Sequence, residues 1–272
     1  MDSFYIQHTH TNFHYRKFGS GKKLVFAFHG YGRDSNTFYF LEHYLGNNHT
    51  VIAIDLPFHG LTEWNKELTF HPEYMVQVIQ EIRKQLNALN EHFILLGFSM
   101  GGRIALHLAE IMHKHIERLV LIAPDGLKIN FWHALATQTW GGHKLLQRTV
   151  YHPQWLLKTL DIAERAGIIT RSIASFVHYY MDDKEQRIML FRRWTTMRKF
   201  VPKLGRLRKY ITRNKIKVRM LFGRYDKVIL YSGGEHFVKG IEQYASLKVI
   251  DTGHNLLDDH NAKYIAGLFN DQ

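Results

Sequence analysis

In the stretch 93–109, an apolar run passes through Gly97-Phe98-Ser99-Met100-Gly101 into a helical pattern, and few folds can accommodate such a transition. Residues 93–96 (Phe-Ile-Leu-Leu) contain no polar side chain and predict a buried parallel strand. From Ile104 onward, apolar residues recur at helical spacing. Glycines on both sides of Ser99 suit a sharp strand-to-helix turn, which leaves no room for neighbouring side chains. The stretch therefore predicts a turn that presents the Ser99 hydroxyl at a helix N-terminus, where free N–H groups can stabilise negative charge.

Predicted strands and helices alternate through most of the chain. Two segments of alternating apolar and polar residues, 3–9 and 12–18, predict antiparallel edge strands. Apolar runs predict buried strands at 24–28, 50–54, 93–96, 118–123, 216–222 and 247–250, and helical patterns fall at 35–45 and 71–89. The alternation favours an α/β fold with a doubly wound, mostly parallel sheet, whose functional residues lie at the carboxyl ends of the strands.

The composition is that of a globular protein with a sizeable core. Hydrophobic residues make up 45% of the 272 residues, and cysteine is absent. A chain without cysteine has no disulfide, no thiolate zinc site and no cysteine nucleophile. The N-terminal residues lack the pattern of a signal peptide, and no window reaches about 18 uninterrupted apolar residues. A cytoplasmic location is therefore expected.

The positive charge is concentrated in the segment 127–213. This segment holds 17 Lys and Arg against 5 Asp and Glu, whereas the rest of the chain holds 19 of each kind. It also holds four of the five tryptophans and shows helical patterns at about 131–148, 153–165, 169–180 and 183–198. These contrasts predict an inserted helical unit with its own surface, between core segments 1–126 and 214–272.

The loop His29-Gly30-Tyr31-Gly32 follows the predicted strand 24–28. Its glycines let the backbone turn and expose N–H groups at the carboxyl end of the strand. If Ser99 attacks a carbonyl group, the oxyanion that forms needs one N–H donor from the residue after the serine and a second from a loop at such a position. The N–H groups of Tyr31 and Met100 are the candidate donors.

Two further polar residues come just after strands in the C-terminal part. Asp226 follows the strand 216–222, and His254 follows the strand 247–250. Ser99, Asp226 and His254 each follow a predicted strand, so all three are expected at the carboxyl edge of the sheet.

In these features the chain resembles the α/β-hydrolase superfamily, in its lid-bearing serine hydrolase and esterase branch. The resemblance rests on His29-Gly30-Tyr31-Gly32, Asp55-Leu56-Pro57-Phe58-His59-Gly60 and Gly97-Phe98-Ser99-Met100-Gly101-Gly102, and covers about residues 20–126 and 214–272. It implies that Asp226 is the acid and His254 the base of a catalytic triad, because Ser99, Asp226 and His254 follow the family's chain order of nucleophile, acid and histidine. It also implies that 127–213 is a helical cap, or lid, and that no metal or organic cofactor is needed.

Two alternatives to these roles come from other polar residues at strand ends. Asp125 follows the strand 118–123, a position that some family members use for the acid, but the Gly-x-x-Asp context of Asp226 matches the commoner arrangement. Asp55 and His59 are interpreted as structural, because the proline and glycine of their tight loop explain them.

Three histidines, His8, His10 and His14, lie on or near the two N-terminal strands. They are interpreted as exposed strand residues rather than metal ligands, because no carboxylate lies nearby to complete a site. No metal site is predicted.

Candidate residues for a substrate pocket come from the core and from the insertion. They are His29, Phe98, Trp132, Trp155, Tyr179 and Trp194. The basic run from Arg192 to Lys209 is interpreted either as a solvated helix face or as a surface for anionic substrates or an anionic membrane. Nucleic acid is not expected as a partner, because no recognised binding module accompanies the charge.

Together these residues predict a serine hydrolase that cleaves a carboxylic ester or thioester through an acyl-enzyme on Ser99. A serine at this position disfavours dehalogenase and epoxide-hydrolase chemistry, which needs a carboxylate nucleophile. The same triad also supports C–C bond hydrolysis, lyase chemistry or acyl transfer on a small anionic substrate. A non-catalytic binding protein on the same fold is the remaining alternative.

Overall fold

The computed structural model describes residues 2–8, 11–65, 68–128, 137 and 139–270. The chain divides into two compact units. The first unit comprises residues 1–128 and 199–272, and the second comprises residues 129–198.

The first unit is built on an eight-stranded sheet. Its strands are β1 (Asp2–His8), β2 (Thr11–Phe18), β3 (Lys23–Phe28), β4 (His49–Ile54), β5 (Phe93–Phe98), β6 (Ile116–Ile122), β7 (Lys217–Gly223) and β8 (Ala245–Ile250), in the order β1-β2-β4-β3-β5-β6-β7-β8. β2 pairs antiparallel with β1 and β4, and all other pairs are parallel. This confirms the predicted α/β fold with a mostly parallel sheet.

Helices cover both faces of this sheet. They are α1 (Glu42–Leu45, preceded by a 3₁₀ helix over Ser35–Leu41), α2 (Pro72–Gln85), α3 (Met100–Ile111), α8 (Leu204–Asn214), α9 (Ser232–Val238) and α10 (Ala262–Gly267). On one face, Val25 and Ala27 of β3 pack in a cluster with Phe38 and Ile265. Side chains alternate along a strand, so Phe26 points to the other face. The side chains on both faces are therefore buried, as expected of a doubly wound sheet.

The second unit contains four described helices. They are α4 (Trp140–Tyr151), α5 (Gln154–Arg165), α6 (Arg171–Met181) and α7 (Lys184–Thr196). The last three agree closely with the predicted helical patterns, and the predicted helix at 131–148 is described only from Trp140 onward. None of the helices in the described parts of either unit is long and apolar enough to cross a membrane.

The second unit ends earlier than the sequence predicts. The prediction extended the insertion to residue 213, but residues 199–213 belong to the first unit. Leu207 and Ile211 of α8 are buried, while Arg206 lies 3.4 Å from the buried carboxylate of Glu110. The segment 199–213 carries six Lys and Arg and no acidic residue, so the strongest basic run lies in the first unit. Composition misplaced the boundary because an amphipathic surface helix can be both highly basic and part of the core packing.

The prediction that both N-terminal strands are edge strands is half wrong. β1 is the edge strand, but β2 lies between β1 and β4. The loop after β4 contacts β2, because the His14 N–H donates to the Thr62 hydroxyl at 2.9 Å. His14 is therefore fully buried rather than exposed.

Candidate active site

The turn between β5 and α3 places Ser99 in a backbone conformation that residues other than glycine rarely adopt. Its φ and ψ angles are 50° and −116°. The neighbouring glycines are needed for close approach. A Cβ atom on Gly97 would lie 2.5 Å from the Gly101 carbonyl oxygen, and one on Gly101 would lie 2.0 Å from the Phe28 carbonyl oxygen. Strain of this kind is a feature of serines presented by a strand-to-helix turn.

Ser99, His254 and Asp226 form a continuous chain of hydrogen bonds. Oγ of Ser99 lies 3.1 Å from Nε2 of His254, and Nδ1 of His254 lies 2.7 Å from Oδ2 of Asp226. A carboxylate can only accept, so Nδ1 carries the proton and Nε2 accepts from the Ser99 hydroxyl. The arrangement places His254 to take the Ser99 proton when Oγ attacks an electrophile.

The Asp226 carboxylate is buried and held by the backbone as well as by His254. Its Oδ1 accepts the N–H groups of Val228 at 2.7 Å and Ile229 at 2.9 Å. Burial alone raises the pKa of this carboxyl, but the hydrogen bonds from His254 and the two N–H groups outweigh burial and lower the pKa below its ordinary value. Asp226 is therefore ionised at neutral pH and fixes the orientation of the His254 ring.

The loops after β7 and β8 are joined by backbone hydrogen bonds. The Arg224 N–H donates to the Ile250 carbonyl at 2.8 Å, and the Tyr225 N–H donates to the Thr252 carbonyl at 3.0 Å. A Cβ atom on Gly223 would lie 2.4 Å from the Gly253 carbonyl oxygen. This close approach brings Asp226 and His254 together across neighbouring strand ends.

The loop after β3 lies directly against the serine. A Cβ atom on Gly30 would lie 2.8 Å from the Phe98 ring and 3.4 Å from Cβ of Ser99. Met100 is the first residue of α3, where backbone N–H groups lack an acceptor within the helix. The two segments predicted to supply the oxyanion donors, around Tyr31 and Met100, thus flank Ser99.

Two core residues predicted to line the pocket have different positions. His29 is fully buried, with Nδ1 donating to the Gly30 carbonyl at 2.8 Å and Nε2 accepting the Leu56 N–H at 3.1 Å. It ties the loops after β3 and β4 together, and the prediction that it lines the pocket does not fit this position. Phe98 packs its ring 5.4 Å from that of His254 and so supports the imidazole.

The alternative acid, Asp125, makes different contacts. One of its carboxylate oxygens lies 3.4 Å from Nε of Arg103, and its backbone N–H donates to the Ser99 carbonyl at 2.9 Å. The carboxylate hydrogen-bonded to His254 is that of Asp226.

The other pocket candidates belong to the second unit. Trp155 lies on α5, Tyr179 on α6 and Trp194 on α7, and the first two are exposed. Trp132 lies outside the described residues. As pocket residues, all four remain predictions.

Sequence patterns did not reveal the groups that hold Asp226 and His254 in place. The N–H groups of Val228 and Ile229 act through the backbone, so their side chains carry no signal. Arg33, which donates to the Asn255 side chain beside His254, lies 222 positions away in sequence. A contact of this range is visible only in the folded chain.

Comparison with known proteins gives the family. A family model described as alpha/beta hydrolase fold matches residues 23–261. The chain belongs to the α/β hydrolase fold family. This agrees with the resemblance drawn from the motifs around Gly30, Asp55 and Ser99.

Curated relatives in this family match parts of the chain. It is 31% identical over 125 residues to the pimeloyl-[acyl-carrier protein] methyl ester esterase of Pseudoalteromonas atlantica, a match that covers 45% of this chain and 46% of that protein. It is 32% identical over 105 residues to a serine hydrolase-like protein of Danio rerio, with coverage of 38% and 31%. The matches span less than half the length of either relative.

Solved structures resemble the chain over nearly its whole length. A thermophilic esterase from Thermogutta terrifontis aligns with a TM-score of 0.68 and 15% identity, and the alignment covers 98% of this chain and 97% of that one. At this identity the likeness concerns the fold.

Proposed function

We propose that this protein is a serine hydrolase that cleaves carboxylic esters or thioesters through an acyl-enzyme on Ser99. The observation that carries the proposal is the hydrogen-bonded chain from Ser99 through His254 to Asp226, which starts at a strained turn. Activities named for the curated relatives, an ester hydrolase and a serine hydrolase-like protein, support the same class.

In the proposed reaction, Oγ of Ser99 attacks the carbonyl carbon while Nε2 of His254 takes the hydroxyl proton. His254 then gives this proton to the departing alcohol or thiol, which leaves an acyl group on Ser99. A water molecule, deprotonated by His254, hydrolyses the acyl-enzyme. Asp226 stays ionised and stabilises the imidazolium in both steps. The proposed cycle uses only side chains, backbone N–H groups and water.

The negative charge on the carbonyl oxygen is proposed to meet the N–H groups of Met100 and Tyr31. Loss of one such donor typically raises the barrier by about 2.7 to 4 kcal/mol. The position of the Gly30 loop beside Ser99 supports this assignment.

The second unit is proposed to be a cap that selects substrates, with its aromatic residues as pocket candidates. The acyl-chain preference of variants such as Trp155→Ala tests this. A changed chain-length optimum is expected, and an unchanged profile would remove Trp155 from the pocket.

Hydrolysis of p-nitrophenyl esters from acetate to decanoate, at low and high salt, tests the function. We expect Ser99→Ala to lower kcat by about 10⁶-fold, as the loss of a triad serine does elsewhere. Ser20→Ala, which removes an exposed hydroxyl from a loop, is the matched control and should retain activity. Substantial activity in Ser99→Ala, or a wild-type protein that cleaves no ester or thioester, would overturn the proposal.

A further inference from the structure

A second serine–histidine–aspartate chain lies at the N-terminal edge of the sheet. Oγ of Ser3 lies 2.6 Å from Nε2 of His14, and Nδ1 of His14 lies 2.6 Å from Oδ2 of Asp55. His14 and Asp55 are buried, while Ser3 on β1 is exposed. The chain of bonds therefore runs from a buried carboxylate to a hydroxyl at the surface.

The proton positions in this chain follow from the partners of Asp55. Its carboxylate accepts the Ser35 N–H at 2.6 Å and the Leu61 N–H at 2.8 Å, besides the bond to His14. Burial raises the pKa of Asp55, but these hydrogen bonds outweigh it and lower the pKa below the ordinary value. An ionised Asp55 can only accept a hydrogen bond, so Nδ1 of His14 carries the proton and donates it to the carboxylate. Nε2 is therefore unprotonated and accepts a hydrogen bond from the Ser3 hydroxyl.

The surroundings of Ser3 add a positive charge. Ser3 is directly opposite Arg16 in the β1–β2 ladder, and Tyr5 is directly opposite His14. Directly opposed side chains leave the same face of a sheet, with Cβ atoms about 4.5–5.5 Å apart. A guanidinium on this face can stabilise negative charge that develops on an oxygen beside Ser3.

We propose that Ser3 is a second nucleophilic serine, activated by His14 and Asp55, that accepts acyl or phosphonyl groups from activated donors. Because His14 is fully buried, it is poorly placed to protonate a departing group. The site therefore suits donors whose leaving group departs without a proton, such as fluoride or p-nitrophenolate. The inference concerns a site separate from Ser99 and does not rest on the activity proposed for it.

The reaction with a fluorophosphonate shows the step. The bond between Oγ of Ser3 and phosphorus forms as the P–F bond breaks, and fluoride leaves with the bonding electrons. The hydroxyl proton passes to Nε2 of His14, where the Asp55 carboxylate stabilises the imidazolium. Arg16 faces the charge that builds up on the phosphoryl oxygen.

The experiment uses the full chain with Ser99→Ala, which removes the other candidate nucleophile. The folded variant is incubated with a fluorophosphonate, and intact mass with peptide mapping follows the labelling of each serine over time. Ser20, also exposed, is the internal reference in the same sample. We expect Ser3 to be labelled about 10²-fold or more faster than Ser20, since a positioned general base typically contributes about 10²–10⁴-fold.

Three controls separate activation from mere exposure. Label at this position should vanish in Ser3→Ala/Ser99→Ala. In urea at about 8 M, a concentration chosen to unfold the protein, the labelling rate of Ser3 should fall to that of Ser20. In Arg16→Gln/Ser99→Ala, the labelling rate of Ser3 should be lower than in Ser99→Ala. Arg16 is only half-buried, so this variant is expected to fold. Labelling of Ser3 at the rate of Ser20 in the folded protein, or an equal rate in urea, would overturn the proposal.

Discussion

The two serine–histidine–aspartate chains of the first unit share their hydrogen-bond order but differ in the backbone that carries the serine. Ser99 has a φ of 50° and stands at the N-terminus of α3. Ser3 lies within the regular strand β1. The Ser3–His14 distance of 2.6 Å is shorter than the Ser99–His254 distance of 3.1 Å. Three side chains suffice to polarise a hydroxyl, but an oxyanion also needs N–H donors beside the serine, which a helix N-terminus can supply and a strand interior cannot.

The two histidines also differ in their exposure to solvent. The His254 side chain is 28% exposed, whereas the His14 side chain is fully buried. An exposed imidazole can return its proton to a leaving group and activate a water, as the hydrolytic cycle requires. A buried imidazole serves mainly to take the proton. We therefore expect turnover at Ser99 and single acylation or phosphonylation at Ser3.

Among variants that keep both serines, the largest effect is expected at Asp226, the proposed acid that partners His254. Asp226→Asn should lower kcat for p-nitrophenyl esters by about 10⁴-fold, because an amide no longer holds His254 in the required tautomer. Asp125→Asn is the matched control and should leave kcat nearly unchanged, because its carboxylate faces Arg103. Loss of turnover in Asp125→Asn with activity retained in Asp226→Asn would reverse the assignment of the acid.

An effect on stability is expected at Asp55, whose carboxylate is hydrogen-bonded to His14 and through it to Ser3. At pH 7, Asp55→Asn should lower the free energy of unfolding by about 3 kcal/mol, because it removes a buried charge from a network of hydrogen bonds. The native pKa of Asp55 is lowered, so the wild-type carboxylate stabilises the fold above its unfolded pKa of about 3.9. This contribution is lost as the pH falls through the native pKa.

Urea unfolding of wild type and Asp55→Asn at pH 7, pH 5 and below pH 4 measures this. The difference between the two proteins should be constant at pH 7 and 5 and shrink below pH 4. Asp226 also has a lowered pKa, but it is present in both proteins and cancels in the difference. A difference that grows on acidification would contradict the ionised state of Asp55.

The smallest effect is expected for the hydroxyl of Ser3. Ser3→Ala should reduce the free energy of unfolding by about 1 kcal/mol, because Nε2 of His14 loses its hydrogen-bond donor. Ser3→Thr keeps the hydroxyl and suits a strand, so it should stay close to wild type. Thermal or urea unfolding compares the three proteins. Equal stability of wild type and Ser3→Ala would show that the Ser3–His14 bond adds nothing to the fold.

Much of the fold followed from local patterns. Apolar runs predicted six of the eight strands, because buried parallel strands need uninterrupted apolar side chains, and alternating apolar and polar residues predicted the two N-terminal strands. Helix α8 was not predicted as part of the core, because Leu207 and Ile211 are its only buried residues and basic residues surround them in the sequence. The short helices α9 and α10 carry too few turns for a periodic pattern to emerge.

The turn at Ser99 could be predicted from the sequence, because glycine spacing around a serine after an apolar run reflects local steric limits. The motifs around Gly30, Asp55 and Ser99 indicated the family in the same way. The folded structure was needed to show which aspartate contacts His254 and that His14 is buried against Asp55. His254 and Asp226 are 28 positions apart, and Ser99 and His254 are 155 positions apart. Such contacts depend on the order of strands in the sheet, which neighbouring residues do not encode. The same dependence hid the hydrogen bonds of Ser3, His14 and Asp55, because His14 and Asp55 are 41 positions apart.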